Sequence, residues 1–487
     1  MKQIVPNLLL LTWLLSVACT SFSQTNGSPK FDKKKIDSYI KAEMKKQQIP
    51  GLTYAILLDG KIVDQGAHGL SNVELQSQVT LHTKFNLGSI GKTFTATAIM
   101  LLVKERKISL DDPITRYLDS LPETWKQIKI RHMLSHTSGI KDYIDEFPGY
   151  TTIEKRDRKK NYTESEFIQM AAELPLNFDP GERYAYSNSN FVILGFIIHK
   201  VSGKTLPQFM KEQVFDPLGM KETVYMTQTE IIPNRAHGYS LDNNNKLING
   251  NYISDFFSAL GDMGVTTTAG DMAKWSVALD NGKILDKEVL AQMWTATKLN
   301  NGQASDLLGG SYGLGWELMP YRACSLVGHS GSFRNGYTAS YLRYTDHNLV
   351  VIVLTNLNPT NLLRISCDLA GFIFPELSGI ETIRPTNNTN PDATEKIKLL
   401  FNQLISHKLD TSLVTPEFIK RMNPTSPTPV VPSIDYISTD TPKKLFLYDH
   451  PIDKINYYKL LFPGDKEPSY LMLYLTAGNK IAGLVPY

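Results

Sequence analysis

The chain has 487 residues, of which 42% are hydrophobic and 20% are charged. This composition is typical of a globular protein, and the length exceeds that of one ordinary core, so we predict two or three folded units. The 51 basic and 48 acidic side chains nearly cancel. Because no strong positive field remains to attract a polyanion, the sequence argues against nucleic acid as a partner.

The first 23 residues have the pattern of a secretory signal peptide. Lys2 gives a positive start, residues 8–17 are apolar, and residues 21–23 read Ser-Phe-Ser, a small-x-small cleavage signal. We therefore expect an exported protein, periplasmic or extracellular, with no transmembrane span in the mature chain. Two alternatives stay open. In the first, the apolar stretch is an uncleaved membrane anchor, although it is shorter than the ~20 residues that span hydrocarbon. In the second, Cys19 carries a lipid anchor.

Two cysteines, Cys324 and Cys367, remain after this leader. In an oxidising compartment they can form a disulfide, and the alternative is a pair of buried thiols. Sequence alone does not choose between the two.

The hydrophobic pattern predicts helices and strands in an order that is typical of an α+β protein. We predict an amphipathic helix at 31–46, a β-hairpin at 52–65 and an apolar helix at 89–105. Short helical runs and Gly- and Pro-rich loops occupy residues 112–300. Strand-like segments then return at 312–318, 326–328, 336–344 and 349–355. Early and late strands with helices between them indicate one sheet flanked by helices.

A second folded unit is predicted at the C-terminal end. Residues 381–394 form a polar linker rich in Pro and Asn, so we place a domain boundary there, after an enzyme domain of residues 30–380. A helical run at 395–405 and several strand-like segments follow. We predict a small α+β accessory domain at 395–487, which has some likeness to nuclear-transport-factor-2-like modules.

Ser89 is the candidate nucleophile, and Lys92 follows it by one helical turn. A serine hydroxyl becomes nucleophilic when a nearby base takes its proton, and the S-x-x-K spacing brings an amine beside it. Gly88 precedes Ser89 and an apolar helix follows, so backbone N–H groups at the helix start can face a developing oxyanion. Ser38 and Lys41 match the same pattern, but we interpret them as a solvated helix face.

Two further motifs follow in order along the chain. Tyr186-Ser187-Asn188 is the only Y-x-N tripeptide, and its tyrosine can relay a proton while its asparagine bonds a substrate amide. His329-Ser330-Gly331 follows an apolar pair and fits a strand whose glycine lets a substrate backbone approach. Each motif alone is weak, whereas S-x-x-K, Y-x-N and H-x-G in this order rarely arise by chance.

With these three motifs the sequence resembles the serine β-lactamase (class C), penicillin-binding-protein and D-alanyl-D-alanine carboxypeptidase-like hydrolases. The likeness extends over residues 52–375 and includes the stretches 134–139, 180–195, 264–273 and 312–316. It implies a β-lactamase/transpeptidase-like fold, in which an antiparallel sheet is flanked by helices and accompanied by a helical subdomain.

The resemblance also implies roles for individual residues. Ser89 would form the acyl-enzyme with Lys92 as base or proton shuttle, and Tyr186 would be the general base of class C enzymes. The oxyanion hole would be the backbone amides of Ser89 and Ser332. The substrate-binding residues would be Asn188, His329, Ser330, Gly331 and Ser332. No metal and no cofactor are implied.

The function implied by the resemblance is a serine hydrolase acting on an amide or ester carbonyl. The expected substrate is a small molecule or a peptide. Two classes are expected: a D-amino-acid peptide, such as a cell-wall peptide, or an ester. A β-lactamase is an alternative, but His329 stands where those enzymes have the lysine of K-T-G and lacks its permanent cation. A non-enzyme alternative is an envelope sensor that is acylated and deacylates slowly.

Two unrelated enzyme classes are also considered. Residues 309–313 fit the G-x-S-x-G pattern around Ser311, but a nucleophile elbow needs a strand before the serine and a helix after it. Here polar residues precede and a strand-like segment follows. His132 and His136 suggest a zinc site, but the glutamate of H-E-x-x-H and a third ligand are missing, so we expect loop histidines.

Overall fold

A computed structural model provides the fold of the chain. It describes residues 31–119, 121–144, 160–250, 254–258, 260–305, 310–322, 324–379, 391–406, 410–415, 433–440, 446–447, 450–461 and 469–486. The predicted signal peptide, Cys19 and most of the predicted linker lie outside these residues and stay predictions. None of the helices in the described ranges has the length and apolar character needed to cross a bilayer.

The described residues form an α+β arrangement. The helices are α1 Lys33–Lys46, α2 Gly91–Lys104, α3 Ile130–Leu134, α4 Glu164–Ala172, α5 Asn188–Ser202, α6 Leu206–Met210, α7 Asp216–Leu218, α8 Asp255–Ser258, α9 Ala269–Asp280, α10 Lys287–Met293, α11 Leu362–Ile373 and α12 Pro391–Ile405. The strands are β1 Gly51–Leu58, β2 Lys61–Asn72, β3 Ser77–Gln78, β4 Phe85–Asn86, β5 Val224–Tyr225, β6 Tyr239–Leu241, β7 Leu247–Asn249, β8 Val265–Thr267, β9 Ser311–Tyr312, β10 Glu317–Tyr321, β11 Cys324–Phe333, β12 Tyr337–Tyr344, β13 Leu349–Thr355, β14 Leu357–Asn358, β15 Ser433–Asp440, β16 Phe446–Leu447, β17 His450–Pro451, β18 Lys454–Leu461, β19 Ser469–Leu475 and β20 Ile481–Pro486.

The main sheet joins the early strands to the late ones. Within the described residues its order is β3-β2-β1-β13-β12-β11-β10-β9, and each neighbouring pair is antiparallel. The contact between β1 and β13 brings residues that are about 300 positions apart in sequence into register, with Leu52 opposite Thr355. This pairing closes the enzyme domain around the helical residues in between.

Both faces of the sheet centre are covered by helices. Strand side chains alternate between faces, so Ala55 and Leu57 join the core that contains α2 and α9, while Tyr54 and Ile56 point the other way and are also fully or almost fully buried. The helix α9 packs on β1 and β13, and α11 packs on β12 and β13. Burial on both faces explains why β1 and β13 are continuous apolar runs and not alternating ones.

The C-terminal residues form a small sheet with its own core. Its strands follow the order β15-β18-β19-β20, and α12 packs on this sheet through Ile397 and Leu400. Contacts with the enzyme domain among the described residues include a hydrogen bond from the hydroxyl of Tyr474 to the carbonyl of Pro320 at 3.3 Å. The Arg322 guanidinium also lies over the ring of Tyr457. The predicted α+β class with an extra C-terminal unit is confirmed.

Several predicted element boundaries were wrong, among them the start of the C-terminal helix, which begins at Pro391 and not at residue 395, and three boundaries near the predicted site. The strand predicted at 312–318 is split into β9 and β10, because Gly315 adopts a left-handed φ of +83° between them. The strand predicted at 326–328 runs from Cys324 to Phe333, so the H-x-G motif lies inside β11. The helix predicted from residue 89 starts at Gly91. The two alternatives for Cys324 and Cys367 were a disulfide and a pair of buried thiols, and in the structure both are buried thiols.

We propose that the C-terminal unit folds independently, since its core is separate from that of the enzyme domain. A chain shortened to end at Pro385 is then expected to stay soluble and to keep covalent labelling by a fluorophosphonate probe. The same shortened chain with Ser89→Ala serves as the labelling control. Insoluble protein, or soluble protein that no longer labels, would show that the tail completes the core or the cleft.

Candidate active site

Ser89 lies in a short 3-10 turn, Gly88–Ile90, that connects β4 to α2. The turn is fixed by Asn86, whose Oδ1 accepts the backbone N–H of Gly88 at 2.8 Å. Gly88 has a φ of +52°, which favours glycine, and a Cβ there would meet the backbone nitrogen of Ser332 at 2.7 Å. Ser89 itself stays partly exposed. The turn therefore presents the hydroxyl at the surface of an otherwise buried segment.

Lys92 lies one turn into α2 and is fully buried. Its Nζ donates to Ser89 Oγ at 3.0 Å, to Asn188 Oδ1 at 2.7 Å and to the carbonyl oxygen of Asp262 at 3.1 Å. Burial lowers the pKa of Lys92 to about 8, although nearby carboxylates, that of Asp262 first among them, oppose this change. A neutral amine is therefore accessible close to physiological pH, directly beside the serine hydroxyl.

Tyr186 and Asn188 reach the same point from the start of α5. Burial raises the pKa of Tyr186 well above its usual value of 10, and the interaction of its hydroxyl with Ser89 only partly offsets this. The Lys92 ammonium lies 4.9 Å from the centre of the Tyr186 ring. A phenolate is therefore disfavoured, and a neutral hydroxyl is what the site presents. This differs from the general-base role that the resemblance implied for Tyr186.

Strand β11 passes very close to the nucleophile turn. A Cβ placed on Gly331 would lie 1.9 Å from the carbonyl oxygen of Leu87 and 3.3 Å from the backbone nitrogen of Ser89. Together with the approach of Gly88 to Ser332, this contact shows that the backbone of β11 at Gly331 and Ser332 packs against the backbone of the nucleophile turn. An oxyanion hole requires two backbone N–H groups that face the same point, and the amides of Ser89 and Ser332 remain the predicted pair. The glycine of H-x-G is thus required by a backbone contact within the protein itself.

His329 is buried, with 1% of its surface exposed. Its Nδ1 lies 2.6 Å from the carbonyl oxygen of Ser330 and must donate to it, so in the neutral ring Nε2 accepts from the Tyr312 hydroxyl at 2.9 Å. Burial lowers the pKa of His329, and the nearby carboxylate of Glu317 only partly offsets this. His329 is therefore a neutral residue with both nitrogens bonded inside the protein. Ser330, in contrast, is exposed and donates to Glu317.

Sequence reasoning missed the contribution of His136. Its ring is buried and lies 4.2 Å from that of Tyr186 and 4.7 Å from that of Tyr312. Its Nδ1 accepts the backbone N–H of Ser187 at 3.1 Å. His136 thus fixes the start of α5 and one face of Tyr186. His136 lies in the stretch 134–139, which in the sequence indicated the likeness to the family but not a place in the site.

Two carboxylates, the half-buried Asp142 and the fully buried Asp262, were also missed. Asp142 accepts from the backbone and the side chain of Asn188. Asp262 is fully buried, and its Oδ2 accepts from the hydroxyl of Tyr143 at 2.9 Å. Burial raises the pKa of both carboxyls, that of Asp262 to about 6. Neither residue belongs to a local motif, so no sequence signal pointed to them.

The rival residues have ordinary structural positions. Ser38 is exposed on α1 and bonds the carbonyl of Lys34. Ser311 lies in the edge strand β9, which pairs with β10, and not in a strand-to-helix elbow; Gly309 lies outside the described residues. Among the residues that the structure describes, no group of His, Cys, Asp and Glu side chains is arranged to bind a metal.

Comparison with known proteins addresses the family and the fold. The family profile described as Beta-lactamase matches residues 36–372. A penicillin-binding protein from Bacillus subtilis (strain 168) is 30% identical over 311 residues, covering 61% of this chain and 66% of that protein. A D-aminopeptidase from Brucella anthropi is 25% identical over 334 residues, covering 67% of this chain and 60% of that protein. The chain thus spans less than two thirds of the length of these curated relatives.

A solved structure extends the likeness of fold to most of the chain. The penicillin-binding protein homologue from Pyrococcus abyssi has a TM-score of 0.60 and 23% sequence identity to this chain. The match covers 92% of this chain and 97% of that structure. At this identity the comparison concerns the fold alone.

The buried, neutral state of His329 leads to a prediction about substrate charge. Because its pKa lies below 6.5, His329 offers no imidazolium to a substrate carboxylate at neutral pH. The ratio of kcat/KM for an anionic substrate to that for a neutral ester of similar shape should therefore stay constant between about pH 6.5 and 8. Steady-state rates measured for both substrates over this range test the prediction. A ratio that falls as pH rises would establish a cationic role for His329.

A matched variant strengthens this measurement. His329→Lys introduces an amine whose unperturbed pKa is about 10.4, so it stays largely charged at neutral pH even if burial lowers that pKa as it does for Lys92. It is expected to increase the relative use of carboxylate-bearing substrates, penicillins included.

Proposed function

The chain belongs to the Beta-lactamase family, and from this premise we propose that it is a serine hydrolase that acts through an acyl-enzyme on Ser89. One observation carries the proposal: the Lys92 amine lies 3.0 Å from the Ser89 hydroxyl and has a pKa lowered to about 8. A serine hydroxyl needs such a base to become a nucleophile at neutral pH.

In the proposed acylation, Ser89 Oγ attacks the substrate carbonyl carbon and its proton passes to neutral Lys92. The carbonyl oxygen then carries negative charge, which the backbone amides of Ser89 and Ser332 can stabilise. When the bond to the leaving group breaks, the leaving nitrogen or oxygen takes a proton from Lys92, directly or through the Tyr186 hydroxyl. Water then attacks the acyl ester by the same route in reverse, releasing the acid and restoring Ser89.

We propose an amide or peptide of a D-amino acid as the substrate class. The similarity to a D-aminopeptidase supports this proposal, as does the neutral His329, which disfavours a substrate whose binding depends on a carboxylate. The same neutrality argues against efficient β-lactam hydrolysis. A carboxylic ester remains the second candidate, because its carbonyl presents the same target to Ser89.

Covalent labelling tests the nucleophile. Ser89→Ala should abolish labelling by a fluorophosphonate or a penicillin probe and lower turnover of a short ester by about 10⁴-fold or more, since only binding and oxyanion donors remain. Ser38→Ala and Ser311→Ala are matched controls and should label like the parent protein. Labelling that persists in Ser89→Ala would refute the assignment.

The same ester separates an enzyme from a sensor. Linear product release beyond one equivalent is expected for the enzyme. A single-equivalent burst without further turnover would identify a protein that is acylated and not regenerated.

The lowered pKa of Lys92 predicts the pH dependence of acylation. The neutral amine is the reactive form, so kcat/KM for a neutral ester should rise with pH through a midpoint of about 8. Lys92→Arg should lose roughly 10²- to 10⁴-fold, because guanidinium stays protonated and cannot accept the serine proton. Lys104→Arg, an exposed site at the end of the same helix, is the control. A profile that is flat from pH 6 to 10 would exclude Lys92 as the base.

A further inference from the structure

Asp142 lies beside the start of α5 and remains partly exposed. Its Oδ1 accepts the backbone N–H groups of Ile144 and Asn188, at 3.1 and 3.2 Å. Its Oδ2 accepts the side-chain Nδ2 of Asn188 at 2.8 Å. All three donors are neutral amides. The carboxylate is therefore held firmly in place, but its charge is not neutralised by a directly bound cation among the described residues.

The side chain of Asn188 connects Asp142 to the nucleophile. Its Oδ1 accepts from Lys92 Nζ and its Nδ2 donates to Asp142. Y-x-N was expected to offer this amide donor to the carbonyl of a substrate amide, but here the donor bonds a carboxylate. An acceptor on the substrate would have to compete with that carboxylate, and charged acceptors form the stronger bonds. A hydrogen-bond donor on the substrate, in contrast, does not compete with the carboxylate and gives Asp142 one more hydrogen bond.

The charges around Ser89 favour the same class of group. All three N–H groups of Lys92 are used by Ser89, Asn188 and the Asp262 carbonyl, so Lys92 has no donor left for Asp142. In addition, Asp262 Oδ1 is buried and has no hydrogen-bond partner among the described residues. Burial raises the pKa of both carboxyls, and the charge of the nearby Lys92 ammonium only partly offsets this.

We propose that the acyl group transferred to Ser89 carries a free ammonium group on its α-carbon, and that Asp142 is the specificity-determining residue that pairs with it. This inference rests on the proposed acyl-enzyme function and narrows its substrate to unblocked D-amino-acid amides and peptides. An α-amine lies two bonds of about 1.5 Å each from the carbonyl carbon that Ser89 attacks. N-acylation would remove the charge and leave the Asp142 carboxylate without a cation.

Two chromogenic substrates that differ only in this group test the proposal. D-alanine p-nitroanilide and N-acetyl-D-alanine p-nitroanilide share the acyl carbon and the leaving group. We expect the parent protein to prefer the free amine by about 10- to 100-fold in kcat/KM, the range of a charge-assisted hydrogen bond. Asp142→Asn should bring this ratio close to one, and Asp142→Glu should retain part of it. Asp119→Asn, which removes the same charge from an exposed site, should leave the ratio unchanged.

Fluorophosphonate labelling of each protein separates the two proposals. If the parent protein does not label at Ser89, the proposed function fails. If it labels but shows no preference for the free amine, or if soluble and labelled Asp142→Asn keeps that preference, the role of Asp142 is refuted while the serine hydrolase stands. Should the Asp142 variants not fold, the parent ratio alone decides, since a ratio near or below one contradicts an ammonium-binding carboxylate.

Discussion

The site depends on one buried ammonium group. Lys92 lies in an apolar helix and is fully buried, where an unpaired charge costs several kcal/mol. Three acceptors bond it: Ser89 in the adjacent nucleophile turn, and, from distant parts of the chain, the first residue of α5 and the carbonyl of Asp262. Loss of any one would leave a buried N–H without a partner. The requirement to satisfy Lys92 therefore places Ser89 and Asn188 relative to each other.

The same burial sets the chemistry. Removal of Lys92 from water lowers its pKa to about 8, and removal of the Tyr186 hydroxyl from water raises its pKa. The two effects have opposite sign because burial always disfavours the charged form. The amine can thus lose its proton near neutral pH whereas the phenol keeps its own. The ionised form of the amine is positive and that of the phenol is negative. This difference in charge distinguishes the base from the proton donor within one buried cluster.

The balance of charge also separates this site from one built for carboxylate substrates. His329, which the resemblance places at the position of the K-T-G lysine, is neutral and bonded to Tyr312 and to the carbonyl of Ser330. Asp142 contributes a carboxylate where Y-x-N was expected to offer only an amide donor. A site with the same nucleophile and base can in this way select an amine in place of an anion. Substrate class then follows from the charges around the serine and not from the serine itself.

The sequence by itself determined the features that depend on local spacing. The spacing of three positions from Ser89 to Lys92 makes about one helical turn, and alternation and apolar runs mark the strands. Only the tertiary structure decided which side chains complete the site. Asp142 lies 46 positions from Asn188, Tyr143 lies 119 from Asp262, and His136 lies 50 from Tyr186. Such pairs leave no local pattern, and the pKa of a group depends on burial, which the folded chain alone creates.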